Sequence, residues 1–71
     1  LNDEYLELAK NKGYDVRALI NGASKRAAEL AQGGRPLVPV LPQDSRSFLD
    51  IALLEVAEGK VVIQTPDYDG Y

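Results

Sequence analysis

Apolar residues recur along this chain at helical spacing in three places, and the stretches between them carry the residues that stop helices. Residues 16–32 give the strongest signal. Val16, Leu19, Ile20, Ala23, Ala27, Leu30 and Ala31 follow steps of 3, 1, 3, 4, 3 and 1, the stripe of one helix face. Asp15 can cap the start, Lys25, Arg26 and Glu29 project from the other side, and Gly33-Gly34 ends the run. Asn21-Gly22 is a favoured hairpin pair, but its flanks do not alternate as strands do, so the helix reading stands. Gly22 then costs about 1 kcal/mol relative to Ala; close approach of another backbone would offset this, and a tolerated weak spot is the alternative. Residues 2–12 predict a shorter helix, capped by Asn2, with Tyr5, Leu8 and Ala9 on one face and Gly13 as its stop.

Residues 47–58 predict a third helix. Asp44, Ser45 and Ser47 compete to cap it, and Ser47-Phe48-Leu49-Asp50 resembles a capping box with Asp in place of Glu. Phe48, Leu49, Ile51, Ala52, Leu53, Leu54 and Val56 make it apolar over most of its circumference. A helix of that kind is buried on more than one side, and in so small a chain the second side is expected to belong to another protein. Glu55 and Glu58 lie three apart and read as acids of a solvated face. Between the last two helices, Arg-Pro-Leu-Val-Pro-Val-Leu-Pro-Gln at 35–43 excludes a continuous helix and a central strand. It reads as an extended connector lying over the core or on a partner. Lys60 to Gln64 has strand propensity but no partner strand, and either packs back on the helices or pairs outside; Thr65 to Tyr71 is a polar tail. The expectation is an all-α fold: one domain over 1–71, three helices, a proline-rich extended connector and an extended C-terminal tail.

Composition sharpens this picture. The chain has 71 residues, and chains of this size rarely gain more than about 3–5 kcal/mol from one core. It has no Cys and no His, so disulfides and the usual zinc sites are excluded as staples. A stabilising partner therefore fits from the outset. The net charge of −3 argues against a dedicated nucleic-acid binder, although residues 16–35 form a basic middle between acidic flanks. No apolar run approaches the roughly 20 residues of a membrane span.

Candidate chemistry is sparse. Ser24, Ser45 and Ser47 have no His to activate them, and no motif supports Lys25 or Lys60 as a base. Gly33-Gly34 follows a helix instead of preceding one, unlike a phosphate-binding loop. Asp67-x-Asp69-Gly70 is a fragment of a calcium loop without its later Glu. No catalytic residue, metal site, cofactor or small-molecule ligand is expected.

Two runs carry a resemblance. Lys25-Arg26-Ala27-Ala28-Glu29-Leu30, continuing Ala31-Gln32-Gly33-Gly34-Arg35-Pro36-Leu37-Val38, is similar to the middle of the omega subunit family of bacterial RNA polymerase. Ile51-Ala52-Leu53-Leu54-Glu55-Val56-Ala57-Glu58-Gly59-Lys60-Val61 is similar to that family's Ile-Ala-Leu-Arg-Glu-Ile block, in the same order and at a comparable distance. The resemblance implies a non-catalytic, cytoplasmic subunit that clasps the largest catalytic subunit, beta prime, and aids its folding and assembly, without touching nucleic acid itself. It also implies which residues meet that partner. Lys25 and Arg26 would supply charge-assisted bonds, and Ala23 and Ala27 close helix approach. Leu30, Pro36, Leu37, Val38, Ile51, Leu53 and Leu54 would supply apolar contact. Ala23, Ala27, Leu30, Ile51 and Leu53 equally suit the chain's own core, and sharing between the two roles is expected. Leu54 stands where the family commonly has Arg, so the alarmone site some members share with beta prime is not expected here. The alternative from another class is a stand-alone helical regulatory module, DNA-binding or antitoxin-like. Against it stand a connector at 33–44 far longer than a helix-turn-helix turn and three acids, Asp50, Glu55 and Glu58, on the third helix.

Overall fold

The structure is a computed structural model that describes residues 2–64. Within them lie three helices and no strand: α1 (Asp3–Lys10), α2 (Val16–Ala31) and α3 (Phe48–Ala57). The fold is all-α, as the periodicity predicts. The expected C-terminal tail at 65–71 lies outside the described residues.

Each helix begins on the cap that its local sequence supplies. The Asn2 side chain accepts from the Glu4 N–H, that of Asp15 from the N–H groups of Arg17 and Ala18, and that of Ser47 from the Asp50 N–H. Ser47 thus prevails among the three candidate caps of α3. The capping box is only half made, because the Asp50 carboxylate does not turn back. Its Oδ1 accepts from the Asn2 backbone N–H at 2.7 Å and ties the start of α1 to α3. At the exit of α2, Gly33 takes φ 101°, and a Cβ on Gly34 would stand 2.8 Å from the Glu29 carbonyl oxygen. Both glycines are therefore needed for the chain to leave this helix.

α3 is the central element. It packs on both α1 and α2, which barely meet each other. Ile51, Ala52, Leu53 and Val56 of α3 join Ala9, Leu19, Ala23, Leu30, Val38 and Ile63 in the core. α1, although short, encloses much of the remaining surface of α3, and Val38 inserts from the segment between α2 and α3, while Phe48 stays exposed and Leu54 partly so. The same enclosure tells against the DNA-binding alternative, since a recognition helix needs a free face.

Residues 60–64 do not form a strand. They pack back along α2, the first of the two options open to them. Ile63 is buried and donates its backbone N–H to the Tyr14 hydroxyl at 3.1 Å. Gly22 is the recess that admits it: a Cβ there would lie 2.5 Å from Ile63 Cδ1 and 2.8 Å from Cγ2. The glycine in mid-helix is closely approached, but by a side chain and not by the expected backbone.

Candidate protein-binding surface

A buried charge cluster joins α2, α3 and the segment between them. Glu55 occupies the inner face of α3 and is 0% exposed. Arg26 of α2 meets it with a two-pronged grip: Nε donates to Oε1 at 2.8 Å and Nη2 to Oε2 at 3.1 Å. The other guanidinium donors are also used. Nη1 reaches Glu29 Oε1 at 3.0 Å, and Nη2 reaches the Arg35 carbonyl at 2.8 Å. The hydrogen bond to Glu55 is the chief cause that lifts the Arg26 pKa above its ordinary value, so the guanidinium stays charged. Glu55 Oε2 accepts one more bond, from the Leu37 backbone N–H at 2.7 Å. No buried polar side-chain atom among the described residues lacks a partner.

This geometry changes two readings made from sequence. Glu55 is not an acid of a solvated face. It faces inward because the stripe Phe48, Ile51, Ala52, Glu55 turns it there, and Arg26 neutralises it. Arg26, expected to bond a partner, makes four hydrogen bonds inside the chain. Glu55 was missed as a structural centre, because the signal for it, an acid in the middle of an apolar stripe, needs a basic residue 29 positions away to become meaningful.

Beyond the cluster, the segment alternates its sides. Leu37 is 49% exposed, Val38 is 5% exposed, and Leu41 is 62% exposed. Phe48, at the start of α3, is also exposed. A second staple holds the distal part. Arg46 grips Asp44 through Nε at 3.0 and 2.9 Å and reaches the Pro39 carbonyl through Nη2 at 3.2 Å. The Arg46 side chain is the chief cause that lowers the Asp44 pKa, with its backbone N–H second. The outcome is a row of large apolar side chains displayed outward from a pinned backbone.

The residues singled out from sequence divide accordingly. Ala23, Leu30, Val38, Ile51 and Leu53 are buried in the core. Arg26, Ala27, Pro36 and Leu54 are partly covered, and Lys25 and Leu37 are exposed. Leu54 lines a shallow depression with Leu8, Lys12 and Ala57. A wider groove runs between α2 and residues 61–64, past Val16, Ile20, Lys25 and Val62. Among the described residues, no cluster of acids could hold a metal ion, and no helix is long and apolar enough to cross a membrane.

The RNA polymerase Rpb6 family model matches residues 18–63, the span that holds α2, the charge cluster, α3 and Ile63. A DNA-directed RNA polymerase subunit omega from Nitratiruptor sp. is 46% identical over 55 residues, covering 78% of this chain and 77% of that protein. The chain belongs to the RNA polymerase omega subunit family. The omega subunit of Campylobacter lari is 49% identical over 59 residues, covering 83% of this chain and 76% of its own. That of Nautilia profundicola is 39% identical over 51 residues, 72% of this chain and 75% of its own. No solved structure matches significantly. The family match begins within α2, so α1, which encloses the far side of α3, lies outside it.

Proposed function

We propose that this chain is a non-catalytic, cytoplasmic subunit of bacterial RNA polymerase that binds beta prime and promotes its folding, assembly and stability. Membership of the omega family supports the assignment to the polymerase. The observation that carries the binding reading is the pinned segment between α2 and α3, with Leu37 and Leu41 turned to solvent and Phe48 exposed at the start of α3. None of these three side chains belongs to the chain's own core or to the partly buried set packed against it. Large apolar side chains held outward by a fixed backbone suit a protein interface.

The residues expected to meet beta prime then act at two depths. Leu37 and Lys25 touch it directly, with Pro36, Ala27 and Leu54 at the margins. Ala23, Leu30, Val38, Ile51 and Leu53 support the contact from the core, and Arg26 from the charge cluster. The mechanism is that of a clasp: apolar area and a few charges hold together parts of a much larger subunit that are distant in its sequence. Refolding of beta prime from denaturant tests this. Adding the chain should raise the yield of soluble, assembly-competent beta prime, and an unchanged yield would overturn the reading.

A further inference from the structure

Glu55 is placed where it can govern a surface that it does not itself reach. It is fully buried, yet its Oε2 receives the Leu37 backbone N–H at 2.7 Å while Arg26 holds both of its oxygens. Leu37 opens the alternating stretch in which its own side chain points out and that of Val38 points in. Residues 37–38 form a bend, and a slip of one residue there would turn Val38 out and Leu37 in. Packing alone is a weak guard against that slip here, because Leu37 and Val38 are both aliphatic and either can fill an apolar recess. The hydrogen bond is not so tolerant: it admits one amide at one position. Arg26 adds a second fixed point by donating to the Arg35 carbonyl at 2.8 Å, two residues earlier.

We propose that Glu55, oriented by Arg26, is a positioning residue for partner binding: its carboxylate pins the Leu37 amide and so sets the register in which Leu37 and Leu41 face outward. The proposal rests on the reading that this segment docks on beta prime. It assigns a binding role to an acid that no partner touches.

The test removes the pin and nothing else. The 71-residue chain is within reach of chemical synthesis, so Leu37 can be replaced by its α-hydroxy acid. The resulting ester lacks the N–H and keeps the side chain. The same exchange at Leu41, whose amide has no acceptor among the described residues, is the control. Affinity is measured against core polymerase purified without this chain. The ester at 37 should weaken association about tenfold with helicity by circular dichroism unchanged, as expected for loss of one hydrogen bond to a charged group. The ester at 41 should bind as the unmodified chain does. Unchanged affinity of the 37 ester, with Leu37→Ala and Leu41→Ala both weakened, would overturn the positioning role and leave the docking reading intact. Alanine variants that bind normally would defeat the docking reading itself. Should the 37 ester lose its helices, Glu55→Gln decides. The Leu37 amide proton of the unmodified chain should resonate downfield and exchange slowly, and in Glu55→Gln, with helicity by circular dichroism retained, it should move upfield and exchange faster together with the loss of affinity. An unmoved Leu37 resonance in that variant would overturn the proposal.

Discussion

Two side chains and one missing side chain account for most of what is unusual in this molecule. Gly22 lies in mid-helix, where Ala would be better by about 1 kcal/mol in intrinsic propensity. Ile63 occupies the space that a Cβ would need. Gly22→Ala should therefore destabilise the chain by about 1–2 kcal/mol, because overpacking outweighs the propensity gain. Denaturant unfolding measures this, and adding Ile63→Ala to Gly22→Ala should cost less than the two single changes summed. Glu55 and Arg26 form the other special feature. Removing one member of a buried pair leaves the other uncompensated, and Glu55→Ala should cost about 3–5 kcal/mol. That is comparable to all that a chain of this size is expected to have, so the variant should show little residual helix in its circular dichroism spectrum.

The helices were legible in the sequence because their determinants are local. The caps Asn2, Asp15 and Ser47 act on amides two or three residues away, and each is found doing so. What joins the elements was not legible, because it depends on pairs far apart in the chain. Nothing near Glu55 announces that Arg26 and the Leu37 amide will meet it, and nothing near Asp50 announces the Asn2 amide. How far the short α1 encloses α3 was not legible for the same reason. The segment between α2 and α3 has its own acid-sensitive staple. Arg46 holds the Asp44 carboxyl below its ordinary 3.8, so the staple is at full strength above that value and is lost as pH falls through the lower folded one. A nuclear magnetic resonance titration of the Arg46 Nε–H should show this loss in acid, and Asp44→Asn should abolish the step. Within the same segment, Leu37→Ala and Leu41→Ala should each weaken partner binding by about 1–3 kcal/mol while leaving the unfolding midpoint nearly unchanged. Leu53→Ala, in the core, should do the reverse and cost about 2–5 kcal/mol of stability.

The whole molecule is a small core with a fixed apolar edge. α1, α2 and Val38 pack around α3, residues 60–64 lie along α2, and Leu37 and Leu41 stand outward on the segment that the charge cluster pins. Family membership places such a chain in RNA polymerase, and the edge is the part that has no purpose in isolation. The decisive measurement is hydrogen exchange by mass spectrometry on the purified chain, alone and with purified beta prime at equal concentration. Binding should slow exchange in residues 35–48 more than in α1 and give a one-to-one complex. Exchange in residues 35–48 that is the same with and without beta prime would contradict the clasp.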